Sequence, residues 1–196
     1  MSRILIGFHG KLPRVGDFVQ RRLPGVFVEP WEKATQAALA AASAAIGDAW
    51  RGPFLASPPW RFAMAAEVCG RHPWVGVMAP SYDRVGRVYP LVLATSLPLA
   101  MNGWPHTPAG EWFDLLDDVI ARGVEGIDVT AFDASVVTLP EPHAASAQHL
   151  PGAVDSTLRS RWWRGADPAK GFGLPGLPDA AAYLRLLGVD TDEDPA

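Results

Sequence analysis

Two spacings of apolar positions run along this chain, and each predicts a different kind of element. Short continuous or alternating apolar runs mark strands. Arg3 to Phe8 is apolar and partly β-branched, which predicts a buried first strand. Arg61 to Val68 and Trp74 to Ala79 predict two more, joined by the five residues from Cys69 to Pro73 as a hairpin connection. Arg87 to Leu97 follows, with Pro90 near its start or at a bulge, and Leu158 to Trp163 is the last strand. Apolar residues three and four apart mark helices instead. Trp31, Thr35, Leu39, Ala42 and Ile46 lie on one stripe of an Ala-rich run, so a helix is expected over 30–49, with Pro30 in its tolerant first turn. Trp112, Leu115, Leu116, Val119 and Ile120 predict a second, opened at Pro108 to Glu111 and stopped by Gly123. Pro178 to Leu187 predicts a terminal helix. Asp128 to Leu139 reads as a short helix or turn and then a strand at Ser135 to Leu139. Val15 to Leu23 is short and basic and stays unassigned. Gly10 to Gly16, Ser81 to Gly86, Pro140 to Pro151 and Asp167 to Pro178 are expected as loops.

Strands that follow one another without intervening helices imply antiparallel pairing. The expected fold is α/β, a layered sandwich of a mostly antiparallel or mixed sheet flanked by helices. Residues 1–189 are expected to form a single domain, and 190–196 an acidic, flexible tail.

Composition narrows the function. The 196 residues are 48% apolar and 19% charged, enough for a sizeable core. A net charge of −4 argues against nucleic acid as the main partner. A lone cysteine, Cys69, excludes a disulfide framework. No apolar run is long enough for a secretion signal or a membrane span, so a soluble cytoplasmic protein is expected. Charge is uneven. Arg3, Lys11, Arg14, Arg21 and Arg22 stand against Asp17 in the first 25 residues, whereas residues 111–133 hold seven carboxylates and one arginine. Such a split either steers a charged partner or marks two solvated faces.

Familiar catalytic patterns do not fit. Gly10 and Gly16 are separated by five residues and followed by Asp17, which is the wrong spacing and charge for a phosphate loop. His9, His72, His106, His143 and His149 lack metal-ligand spacing, and there is no Gly-x-Ser-x-Gly elbow. Asp117 and Asp118 are adjacent and on a helix share no face. No catalytic, cofactor or metal site is expected.

Two stretches carry more polar detail than a fold requires: Gly7 to Val19, and Pro80 to Leu91 with its Asp83-Arg84-Val85-Gly86-Arg87. On one reading, Asp17 and Asp83 satisfy loop amides while Arg84 or Arg87 pairs with a carboxylate. On the other, both loops form one recognition surface.

Those stretches, with Trp31, Ser160-Arg161-Trp162-Trp163 and Gly176-Leu177-Pro178, resemble the TagF (ImpM) family of type VI secretion-associated proteins. His9 stands where that family usually has Phe, and Arg14-Val15 replaces its usual Ser-Arg. The resemblance implies a layered α/β sandwich in the cytoplasm of a Gram-negative bacterium. It implies a non-enzymatic, post-translational repressor of type VI secretion that binds a forkhead-associated (Fha) scaffold. Some members are fused to a phosphatase domain, for which 196 residues leave no room. The candidate partner surface is Lys11, Arg14, Asp17, Arg21, Arg22, Asp83, Arg84 and Arg87, with Trp162 and Trp163 as candidate anchors. A subunit of the apparatus, or a small-molecule hydrolase using Lys11, Asp17, Asp83 and Arg84, are the competing readings.

Overall fold

A computed structural model of the chain describes residues 5–99, 103–106, 108–142 and 157–186. Among these, seven strands form one sheet: β1 (Gly7–Gly10), β2 (Val19–Arg21), β3 (Trp60–Met64), β4 (Trp74–Ala79), β5 (Leu91–Ser96), β6 (Ser160–Trp163) and β7 (Phe172–Leu174). Their order is β2-β1-β5-β4-β3-β6-β7, and every neighbouring pair is antiparallel. The helices are α1 (Gly25–Ile46), α2 (Arg51–Ala56), α3 (Gly110–Val124), α4 (Val129–Val137) and α5 (Ala180–Leu186). None is long and apolar enough to cross a membrane.

An antiparallel sheet commonly leaves one face to water. Here helices cover both. Successive side chains on a strand point to opposite faces, so β3, β4, β5 and β6 each feed two cores, while β1 and β2 feed one and β7 the other. Phe8, Val75, Val77, Leu93 and Trp163 pack under α3 and α4 with Phe113, Leu116, Ile120 and Phe132. Phe62, Met64, Trp74, Val92 and Trp162 pack on the other face under α1, α2 and α5 with Phe27, Trp31, Phe54 and Tyr183. The adjacent tryptophans of β6 are thereby split. Trp162 meets Phe62 at 5.1 Å between centroids, and Trp163 meets Phe113 at 5.1 Å on the opposite side. Arg61 of β3 is buried as well, and ties the sheet to α3 by ion pairs to Asp114 and Asp117.

The layered α/β architecture agrees with expectation, and the sheet is antiparallel throughout. Several elements differ. The expected strand at Ser135 to Leu139 is the end of α4: the Asp128 side chain accepts from the Thr130 N–H at its start, and Phe132 and Val136, four apart, face the core. That burial overrides the strand preference of the valine run. α1 begins at Gly25 rather than 30, so Pro30 sits inside it and removes one backbone bond. α2 follows a 3-10 turn at Gly47–Trp50, and Pro53 falls in its first turn, where no intrahelical donor is needed. The unassigned segment before Leu23 supplies β2, and the Gly/Pro-rich loop after Asp167 contains β7. The buried Arg161 closes that loop by donating to the carbonyls of Pro168, Ala169 and Gly171. β1 spans Gly7–Gly10, with Arg3 and Ile4 of the expected first strand outside the described residues, while β3 and β5 are shorter than expected. The proposed tail at 190–196 lies outside the described residues, as do His143, His149 and most of the loop at 140–151.

Because both faces of the sheet are core, truncating Trp162 to alanine is expected to cost about 3–5 kcal/mol. Val85→Ser, at a residue 67% exposed, is expected to stay within about 0.5 kcal/mol of wild type. Urea unfolding midpoints of the two variants check this contrast.

Candidate functional site

The two polar stretches meet at the end of the sheet where β1 finishes and the antiparallel β5 begins. The segment from Lys11 to Phe18 joins β1 to β2, and the segment from Pro80 to Pro90 joins β4 to β5. Gly10 makes the junction possible. Its φ is 138°, and a Cβ there would lie 2.2 Å from the Pro90 carbonyl oxygen.

Asp83 organises the crossing. It is fully buried, and a buried carboxylate must be paired and hydrogen-bonded to persist. Its Oδ2 accepts from Lys11 Nζ at 2.8 Å and from Arg87 Nε at 2.7 Å. Its Oδ1 accepts the backbone N–H groups of Val85 at 3.1 Å and Arg87 at 2.9 Å. Burial pushes this carboxyl up. The bonds from Lys11 and from the Arg87 backbone and side chain, with the Lys11 charge, overcome that and hold it well below the usual carboxylate range. The turn closes with Gly86 N–H donating to the Asp83 carbonyl at 2.8 Å, and Gly86 takes a φ of 82° that favours glycine. Further bonds tie one loop to the other: Arg87 to the Gly16 carbonyl (2.6 Å), the Arg84 N–H to the Val15 carbonyl (2.9 Å) and the Ser81 hydroxyl to the Lys11 carbonyl (2.7 Å).

The candidate residues therefore divide. Lys11 and Asp83 are buried inside the crossing, and Arg87 is half spent on it. Arg14, Asp17, Arg21 and Arg84 are exposed. The Asp17 carboxylate accepts the Phe18 N–H, and Arg21 donates to the Gln20 carbonyl. Arg22, at a left-handed φ of 60°, is anchored by the Ile6 carbonyl and by Asp133 at 2.5 Å, so it holds α4 to β1. The Asp128 carboxyl is held below its usual value first by the Thr130 N–H, with the Arg14 charge adding a smaller pull. Trp162 and Trp163 are corrected: at 0% and 1% exposure on opposite sides of the sheet, neither reaches the surface as an anchor.

Three participants were not singled out from sequence. Arg51 of α2 donates to the Gly86 carbonyl at 3.0 Å, across a separation that local pattern does not encode. Phe18 and Val85 lie within the two stretches, and their exposure of 40% and 67% appears only in the folded chain. Phe18 stacks on His9 at 5.6 Å with parallel rings, and Tyr89 meets it edge-on at 4.8 Å. Cys69 is buried and its thiol is pushed up to about 12, which leaves it protonated and unreactive at neutral pH. Among the described residues, no group of three or more His, Cys, Asp or Glu side chains is placed to hold a metal ion.

The sequence model of the TagF N-terminal domain, described as type VI secretion system-associated, matches residues 7–139. The chain belongs to the TagF family. The match contains both loops and the whole Asp83 cluster. A search of curated proteins returns no match. Among solved structures, PA0076 from Pseudomonas aeruginosa PAO1 is similar, with 30% identity, a TM-score of 0.78 and 97% of each chain covered. That likeness extends past the matched TagF domain through β6, β7 and α5.

One position of this TagF chain stands apart. His9 is 2% exposed, and burial pushes its imidazole from 6.5 down to about 4, against the attraction of the half-exposed Glu32 carboxylate 3.1 Å away. The folded state therefore holds His9 neutral where the unfolded chain would protonate it. Stability from this site is full above about 6.5 and is lost as pH falls toward 4. His9→Phe, the residue type that resemblance puts there, is expected to remove that loss. Urea midpoints at pH 7 and pH 5 check it: the wild type falls between them and the variant does not. A further loss that begins below about pH 4, where the unfolded chain takes up a proton that folded Asp83 still refuses, remains in both.

Proposed function

We propose that this TagF family member is a cytoplasmic, non-enzymatic repressor of type VI secretion that acts after translation by binding an Fha scaffold. Family membership ties it to type VI secretion. The observation that carries the binding role is how the shared motif uses its charges. Lys11 and Arg87 both donate to Asp83, and the turn they build holds Arg84 and Val85 outward. A hydrolase using the same side chains would keep the carboxylate or the lysine free to meet substrate. Among the described residues, a groove of about 260 Å³ beside Trp112, Leu115 and Pro140 contains no residue of either loop, and the pocket that Pro80 and Pro90 line holds only about 10 Å³.

A repressor of this kind needs only a surface. Each scaffold molecule held by the protein is withdrawn from assembly of the apparatus, so repression follows mass action. A structural subunit would differ by staying at fixed stoichiometry in the assembled machine.

Deleting the gene is expected to raise secretion, and a tagged full-length chain is expected to recover the Fha scaffold from lysate of its own organism. Arg84→Ala, checked for folding, is expected to reduce that recovery at least fivefold. Recovery of no secretion component by a folded, abundant chain would overturn the partner assignment. Stoichiometric recovery of the apparatus itself would favour the subunit reading.

A further inference from the structure

We propose that the outward face of the two crossed loops binds an acidic protein segment that also carries an apolar side chain, with Arg84 and Val85 at the centre of contact. This rests on the reading of the chain as a binding protein and names the chemistry of its partner at that surface. The turn explains Asp83, Gly86 and Arg87, each of which has internal work. It does not explain Arg84 and Val85. Among the described residues the Arg84 guanidinium has no ion-paired or hydrogen-bonded partner; it lies over Gly16, where a Cβ would be 3.3 Å away. Val85 is 67% exposed at the tip of the turn, and Phe18 and Tyr82 are each 40% exposed in the same two loops.

The charge of this face is positive on an acidic protein. Two cations, Lys11 and Arg87, share the one carboxylate of Asp83, which leaves a residual positive charge. Arg84 adds another, and Arg51, tied to the Gly86 carbonyl, adds a third beside them. Only Asp17 among the exposed loop residues opposes them. The rest of the chain brings the net charge to −4, so an acidic segment is drawn to this end and repelled elsewhere. Arginine beside exposed aromatic and aliphatic surface is the composition of an interface centre. The Asp83 cluster fixes the loops in advance, which lowers the ordering cost of binding.

The test uses the full chain in its own cells. Benzoylphenylalanine is placed at position 85 and, as a control, at position 115, which is 43% exposed on the acidic helix α3. After irradiation, the attached peptide is identified by mass spectrometry. The expected product at 85, absent at 115, is a protein segment in which Asp and Glu outnumber Lys and Arg. Arg84→Glu in the same chain cuts its yield at least tenfold, and Arg84→Lys keeps it within threefold. The proposal is overturned by a neutral or basic segment, by nucleic acid or lipid, by no product at 85, or by a yield that Arg84→Glu leaves unchanged. An acidic segment from a protein other than the scaffold sustains this surface and removes the scaffold assignment. Scaffold recovery without a product at 85 does the reverse.

Discussion

A carboxylate with no face to water has to be neutralised where it stands, and Asp83 meets that requirement by drawing two loops together. Lys11 comes from one loop and Arg87 from the other, both within 2.8 Å of the same oxygen, while the second oxygen fixes the turn amides. Removing one partner of such a group leaves a buried charge uncompensated, at a cost of about 3–5 kcal/mol. The conformation of the β1–β2 connection, the shape of the turn after β4 and the outward direction of Arg84 all follow from that pairing.

The sheet beneath makes a rigid platform for the crossing. Of the strands that carry the loops, β5 is held by both cores, and β1 is held by one of them through Phe8. The charge asymmetry of the chain is partly consumed within it, since Arg22 is bonded to Asp133. What remains for a partner is a small basic face bearing exposed apolar groups.

Much of this was legible in the chain. The central strands, α1, α3 and α5 were found because their apolar residues keep one period long enough to count. α4 is half legible, as a short helix or turn that runs into an expected strand at Ser135 to Leu139, and the three residues of β7 lie in a Gly/Pro-rich stretch that reads as loop. Trp162 and Trp163 are offered as anchors by residue type, which does not say what covers each face of the strand. A sheet covered on both sides has a core for each. In the candidate site, the residues were readable and their roles were not. Lys11, Asp83 and Arg87 carry the same charges whether they face a partner or one another, and only their distances decide.

The most direct test of Asp83 as the organising group is hydrogen exchange on the full chain, comparing wild type with Asp83→Asn under conditions where both are folded. Peptides covering 11–18 and 81–90 are predicted to lose protection together, while those covering 74–79 and 91–96 keep it. Loss confined to 81–90, or no loss in either loop, would contradict the account.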